Sequence, residues 1–556
     1  MTASTGLSGY HRRLLVVFLV SLGVRALTAL PLQQPGYFDA YFHYVVGENL
    51  ALGRGLTVDF AWNFLNQPNA LTQPSHLYWM PLSSLLASSG MLIAGPTYRS
   101  SQLPFIVLSA LLPVLAYHLA YRLTRKARHA AVAGALTIAS GFYLPFWVSP
   151  DNFAPFAVAA GLALLAMGRG VARNGLIEFG AAGVLVGMAH LSRPDGPLLG
   201  AALAAVLLVA WRRGWMPQNR KAPATFRRPA LAALLALFGY LVVMVPWFYR
   251  NWAAIGAPIS GAGIQTLFLR TYDDLFSYSR DLSVQSYLAW GVGPILASKL
   301  RAAAHNGLVI LGGMFFALAP LALWGLWRLR RQRLLLPFLI YAPLLYATMT
   351  LIFTFPSMRG SMLHSSAALL PFLNAAVPAG IDAAVAWVAA RRTTWNRSVA
   401  QGFFSWGAAA MAGVVSLVVF AQGVFILPSD PVAPLWNDRN TIYLETEDWL
   451  AAHARPDAAV AVVDPPAFWY FARRPAMAIP NEPLDEVLRV MSILGADYLV
   501  VESDRPSGLN LLYEGGADDP RLMKVHVFLD PLGEEVQIYR VAGGLALYGA
   551  PDGPGA

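Results

Sequence analysis

The sequence predicts a polytopic α-helical membrane protein with a C-terminal α/β domain, and three observations carry that prediction. Of 556 residues, 56% are hydrophobic and 13% charged, against roughly a quarter charged in soluble domains. Apolar stretches suited to crossing a bilayer recur near 14–31, 101–121, 130–148, 152–168, 176–191, 197–211, 230–249, 306–327, 334–355, 364–390 and 400–427. From residue 428 onward Asp and Glu become frequent, and short β-type runs alternate with helical ones. A mean hydropathy of +0.50 agrees with lipid as the solvent for most of the chain. The absence of cysteine excludes disulfide scaffolds, thiol nucleophiles and thiolate zinc sites.

The formal charge of +10 lies in short clusters between apolar runs. These are His11 to Arg13, Arg122 to Arg128, Arg169 with Arg173, Arg212 to Arg228 (including Arg220 and Lys221), Arg328 to Arg333, and Arg391 to Arg397. Cytoplasmic loops carry such excess, so the clusters are placed inside. That placement gives about eleven spans, with the N-terminus cytoplasmic and the C-terminus outside. Tyr78 to Gly95 would break the parity and is read as a juxtamembrane helix on the outer surface, with Pro81 in its first turn. Segment 14–31 contains Arg25 and lacks a clear cleavage site, which favours a span over a signal peptide. The chain thus divides into a membrane module, 1–427, with long outer loops 32–100 and 250–305, and an outer domain, 428–556. Within the latter, Ala459 to Val463, Tyr498 to Val501 and Val536 to Val541 read as strands. Thr446 to His453 and Asp485 to Leu494, the second preceded by Pro483, read as helices, and the alternation predicts a largely parallel sheet.

Ionisable groups near the outer ends of spans are costly and point to function. Asp39 stands among aromatics in Tyr37-Phe38-Asp39-Ala40-Tyr41-Phe42-His43-Tyr44, which would raise its pKa toward that of a general base. If the following segment is helical, Asp39 and His43 share a face at i and i+4; the plainer role for Asp39 is a helix cap. Asp151, in Ser149-Pro150-Asp151-Asn152-Phe153, either caps the next helix or points into the same outer cavity. Arg193, Arg250 and Arg359 fall at the outer surface, as does His364, and guanidinium groups there could clamp a phosphate. The plainer reading of Arg193 is a local ion pair with Asp195, whereas Arg359 has no acidic neighbour in sequence. The 250–305 loop, with Arg270, Asp273, Asp274, Arg280 and Asp281, reads as a lid or as a solvated loop. Asp464-Pro465-Pro466 reads as a turn or a ligand contact. No Walker motif, zinc-protease helix or nucleophile elbow occurs, and the basic clusters do not interleave with aromatics as a nucleic-acid platform would.

The order of elements, with "ENLALGRGLTVDF" and "YWMPL" after Asp39, then "SPDNFAPF" and "HLSRPDGPLL", resembles the GT-C fold glycosyltransferases, nearest the protein O-mannosyltransferases and bacterial aminoarabinose transferases. The likeness covers roughly the first 210 residues in motif and the remainder in architecture. It implies transfer of a sugar from a polyprenyl-phosphate donor to an acceptor hydroxyl at the outer face of a membrane, with a bacterial plasma membrane as the expected one. By the same resemblance Asp39 would be the general base, Asp151 the second acidic position, and Arg359 a contact to the lipid phosphate. Ala40 stands where the family often has Glu, which leaves roles needing adjacent carboxylates without support. The tryptophan-rich signature of oligosaccharyltransferases is missing, which argues against transfer of a whole oligosaccharide to Asn.

The function expected is therefore that of a lipid-phosphate-sugar-dependent glycosyltransferase. Its catalytic residues would be Asp39 and Asp151, with His43, Arg193, Arg250, Arg359 and His364 at the substrate. The expected partners are the donor, a protein, lipid or glycan acceptor, and membrane lipid, with no nucleic acid. The two aspartates leave a divalent metal, Mg or Mn, open. The rival is a transporter or flippase of an amphiphile, disfavoured because no internal repeat is found.

Overall fold

The computed structural model describes residues 3–216, 226–392, 394–426, 434–516 and 519–542. Arg220, Lys221 and the 427/428 boundary lie outside them. Helix α1 (Ala3–Ala29) is followed by α2 (Phe38–Ala51), strands β1 (Thr57–Ala61) and β2 (Thr72–Pro74), α3 (Leu82–Ala94), α4 (Tyr98–Ser109), α5 (Leu111–Thr124) and α6 (Ala127–Ala139). Then come α7 (Phe153–Arg173), α8 (Ile177–Ser192), α9 (Pro197–Arg212) and α10 (Arg227–Ile255). The later long helices are Val292–Gly313, Ala319–Leu329, Leu336–Leu351, Leu370–Ala389 and Arg397–Ala421.

Among the described residues, six helical stretches are long and apolar enough to cross a membrane, or seven if the pair Ala127–Ala139 and Gly141–Val148, bent by 57°, is one span. The chain is an integral membrane protein by this measure. Fewer stretches reach that length than the eleven apolar runs of the sequence. Segments 176–191 and 197–211 form α8 and α9, of 16 residues each. The 306–327 run is broken: Val292–Gly313 ends, Phe315 and Phe316 take positive φ of 52° and 55°, and a new helix starts at Ala319. Hydropathy records composition and is blind to such a backbone reversal. The 78–95 segment forms the 13-residue α3, with Pro81 at its N-cap.

Small residues and paired charges hold the helices together. A Cβ on Gly380 would come within 1.9 Å of the Leu321 carbonyl oxygen, and one on Gly325 within 2.0 Å of that of Ala376. The two helices therefore pack backbone to backbone. Arg25, buried in α1, donates to the Thr137 and Ile138 carbonyls and to Ser140 Oγ at 2.9–3.2 Å. It caps the C-terminus of α6, where acceptors are otherwise orphaned and the helix dipole favours a cation. Asp382 ties the start of α6 to Leu370–Ala389 by receiving Lys126, Arg128 and His129.

The sheet has seven strands in the order β2-β1-β4-β3-β5-β7-β6, with β3 Ala459–Val462, β4 Ala476–Ala478, β5 Ala496–Val501, β6 Leu522–Leu529 and β7 Glu535–Val541. Contacts β1·β4, β4·β3 and β3·β5 are parallel, and the outer pairs antiparallel. The sheet is thus mixed where the alternation predicted a largely parallel one. Every residue of β3 and β4 is buried, as their unbroken apolar sequences require of strands covered on both faces. The sheet also departs from the domain division read from sequence: β1 of the first loop pairs Phe60 with Ala476. Composition marks where polarity changes and carries no sign of a pairing across 416 positions. Further ties seat the domain on the first loop. Trp436 Nε1 donates to the Gln34 carbonyl at 2.9 Å, Tyr470 packs on Tyr41 and Tyr44, and Arg473 pairs with Glu48.

Candidate active site

Asp39 sits in the first turn of α2, whose N-cap is Tyr37 in extended conformation with no side-chain cap bond. The capping role weighed from sequence is therefore not the one Asp39 plays. Its side chain is a quarter exposed and faces a cavity of about 370 Å³. His43, one turn on, is fully buried as the i, i+4 spacing suggested; its Nε2 lies 3.7 Å from Asp151 Oδ1 and its Nδ1 3.1 Å from Ser84 Oγ.

Asp151 is fully buried between the short turn Phe146–Val148 and α7. It does not cap α7 from the N-cap position, which Asn152 holds, but accepts the Asn152 N–H at 2.5 Å. Its Oδ2 accepts the Tyr37 hydroxyl at 2.8 Å and faces His364 Nε2 at 2.9 Å. His364 Nε2 is also 3.6 Å from Asp39 Oδ2, and the imidazole stacks on Phe153 at 3.9 Å. Thus Asp39, Asp151 and His364 offer atoms within 4.8 Å of one another. The bend that presents His364 is a wide turn, Ser357–Ser361, in which Gly360 takes φ +127°. That region suits glycine alone among the residues of the turn.

The second ring nitrogen of His364 is 2.8 Å from the Gly360 carbonyl oxygen. A carbonyl only accepts, so Nδ1 carries a proton. Nε2 then either carries a second proton toward the two carboxylates or turns its lone pair toward a bound cation. Electrostatics separate the two acids. Burial first, and then the charge of Asp151, push the Asp39 carboxyl up to about 7, against the pull of His364 and Arg193. For Asp151 the upward push of burial is overcome by His364, His43 and the Asn152 N–H, and its carboxyl falls to about 2. Such a divergence leaves one carboxyl able to exchange a proton near neutral pH while the other stays ionised.

Arg193 lines the cavity but is fully engaged: Nε donates to Asp195 Oδ1 at 2.8 Å, Nη1 to Asn152 Oδ1 at 3.1 Å and Nη2 to the Ser361 carbonyl at 3.3 Å. The local pair with Asp195 is real, and the arginine braces the segments carrying Asp151 and His364. Arg250 does not line the cavity; it lies over Trp247 and donates to the Leu56 carbonyl and to Asn251. Arg359 lines it, with a side chain 62% exposed, over the Tyr272 ring and 3.7 Å from Asp273. That acidic partner belongs to the 250–305 loop and is invisible from local sequence. The loop's other charges serve structure: Asp274 accepts the Arg270 N–H and the Thr271 N–H, and pairs with Arg280. Asp464 accepts the Ala467 N–H at 3.0 Å, capping helix Pro465–Ala472 in the turn role. Sequence reading missed Tyr37 as the donor to Asp151 and Asn152 as the link to Arg193, although both stand beside the chosen aspartates.

The solved ArnT from Cupriavidus metallidurans bound to undecaprenyl phosphate superposes with a TM-score of 0.54 at 17% identity, over 98% of this chain and 99% of that one. The chain has the GT-C fold. The GT-C likeness extends to ArnT in the apo state, with a TM-score of 0.53, 16% identity, and coverage of 97% and 98%. It extends also to the archaeal oligosaccharyltransferase AglB from Archaeoglobus fulgidus in complex with an inhibitory peptide and a dolichol-phosphate. There the TM-score is 0.54 at 14% identity, over 94% of this chain and 74% of that one. In sequence, residues 73–249 match the family of dolichyl-phosphate-mannose-protein mannosyltransferases, a stretch holding Asp151 and Arg193 but not Asp39. No curated protein matches the chain.

Proposed function

We propose that the protein is a membrane glycosyltransferase that moves a sugar from a polyprenyl-phosphate donor to an acceptor hydroxyl at the outer membrane face, with Asp39 as general base. The observation that carries this is an Asp39 of raised pKa facing a mostly apolar cavity, beside a buried Asp151 of lowered pKa. The polyprenyl and dolichol phosphates in the GT-C neighbours support the donor class, and the basic clusters support the outer location.

The acceptor hydroxyl hydrogen-bonds to the Asp39 carboxylate and gives it its proton as the new C1–O bond forms. The C1–O bond to phosphate breaks on the opposite side, and lipid phosphate leaves with the electron pair. Arg359, exposed and held by a long contact to Asp273 and by the Tyr272 ring, can turn to that phosphate, where charge grows in the transition state. Asp151 keeps His364 oriented beside Asp39. The same three groups fit a divalent cation: two carboxylates and an imidazole nitrogen within 4.8 Å, with Nδ1 already committed to Gly360. Such an ion, Mg or Mn, would stabilise the departing phosphate as a Lewis acid. The sheet strand from the first loop supports a role for the C-terminal domain in choosing acceptors.

The purified protein, given undecaprenyl-phosphate mannose, glucose and aminoarabinose with a mixed peptide and lipid acceptor pool, is expected to release undecaprenyl phosphate from at least one donor only when acceptor is present. Release from none would defeat the reading. Asp39 acts as base only when ionised, and its carboxyl titrates at about 7. The pH profile of kcat/KM should therefore plateau above that value and drop about tenfold per unit below it.

A further inference from the structure

Helices α5 and α7 run side by side in the same direction. A Cβ on Gly161 of α7 would lie 2.7 Å from Leu115 Cδ2 of α5, and two turns further on the helices carry Arg169 and Arg122. At the rise of a helix both arginines stand about 11 Å beyond that contact, and so at one level. Arg173 ends α7, and Arg125 follows α5 in left-handed conformation with φ 58°. Arg125, Arg173 and Arg169 are electrostatic neighbours of Arg122, and Arg122, Arg169 and Arg173 are neighbours of His118. Among the described residues none of these four guanidinium groups meets a carboxylate. The nearest acid along the chain, Glu178, makes no ion pair with them, and Asp382 is taken by Lys126, Arg128 and His129.

Cations suit the C-terminal ends of helices, but a helix end carries only about half a negative charge, so the two ends offset roughly one of the four positive charges. The excess repels itself unless an anion joins it. The depth of the cluster says which anion. With 21 residues, α7 carries Arg173 about 30 Å from Asp151 at its start, the thickness of a bilayer's hydrocarbon core. The arginines therefore stand at the head groups of the leaflet opposite the Asp39 cavity. Tyr10 and Tyr121, with rings 5.0 Å apart, lie at the same end, and the Tyr10 hydroxyl is 2.7 Å from His118 Nδ1; such amphipathic rings gather at the membrane interface. Phosphate at that level is carried by lipid, and guanidinium groups grip its oxygens in pairs. We infer that Arg122, Arg125, Arg169 and Arg173 form a binding site for the phosphate of an anionic phospholipid in the leaflet opposite the Asp39 cavity, where the head group ties α5 to α7. The site is independent of the glycosyltransferase reading.

The test is titration of the purified full-length protein, in a neutral detergent, with phosphatidylglycerol or phosphatidylcholine, with bound lipid counted by native mass spectrometry. Wild type should hold phosphatidylglycerol about tenfold or more tighter than phosphatidylcholine, whose choline cancels the phosphate charge. Arg122→Gln combined with Arg169→Gln should weaken phosphatidylglycerol by about fivefold for each charge removed. Arg328→Gln combined with Arg331→Gln, at another basic helix end, should change it by less than about twofold. Arg122→Lys combined with Arg169→Lys keeps both charges and should retain most of the affinity. Without lipid, Tm of the first glutamine pair should equal or exceed that of wild type, because repulsion falls; arginines that served only the helix ends would lower Tm on removal and leave the lipid affinity alone. Equal affinity for the two lipids, equal losses in the two glutamine pairs, or displacement of phosphatidylglycerol by an equal concentration of inorganic phosphate would each overturn the site.

Discussion

Asp39→Asn is expected to lower kcat by about 10²- to 10⁴-fold, the range a positioned general base supplies. The amide keeps the shape of the carboxylate and cannot accept a proton at any accessible pH. Donor binding should persist, because Asp39 is only one part of the cavity wall and Arg359, Trp79 and the apolar lining are untouched. The fold should persist too, since Asp39 makes no cap bond. The carboxyl titrates at 3.8 when free and at about 7 in the fold, so in that window the folded chain holds the extra proton and loses stability as pH rises. Removing the group removes that loss, and Tm at pH 8 should be equal to or above wild type. A fall in kcat accompanied by a fall in Tm would assign Asp39 to structure instead; both quantities come from one preparation, by single-turnover transfer and thermal unfolding.

Asp151→Asn should cost on the order of 10²-fold in kcat, the scale set by groups that orient a reacting residue. Asn can still accept the Tyr37 hydroxyl, so the loss is of charge rather than of shape. Two consequences follow from the geometry. His364 Nε2 loses the carboxylate 2.9 Å away that aligns it. Asp39 loses the negative neighbour that is the second cause of its raised pKa, after burial. The acidic limb of the pH profile must then move to lower pH than in wild type. A limb that stays in place would show that Asp39 and Asp151 do not sense each other.

Much of the site was legible one residue at a time. Asp39 and Asp151 announce themselves as carboxylates beside apolar helix ends, and His364 as an ionisable group at a turn between apolar runs. What could not be read is their meeting. Asp151 and His364 are 213 positions apart, and the Ser357–Ser361 turn, the Arg193 brace and the packing of Phe153 under the imidazole bring them to 2.9 Å. The same holds for Arg359 and Asp273, and for Phe60 opposite Ala476. Periodicity and composition report on one element's surroundings, never on which element supplies them. Conversely, the Arg193–Asp195 pair and the Asp464 cap on the Ala467 N–H could be read from sequence because those partners lie within three residues.

The central claim is tested most directly by following a radiolabel on the sugar of undecaprenyl-phosphate mannose, and of the other donors in the panel, in proteoliposomes holding wild type or Asp39→Asn. Label should move from lipid to acceptor with wild type, in proportion to the undecaprenyl phosphate released, and stay on the lipid with the variant. Label that remains on the lipid with both proteins while the lipid itself crosses the bilayer would contradict it and identify a transporter.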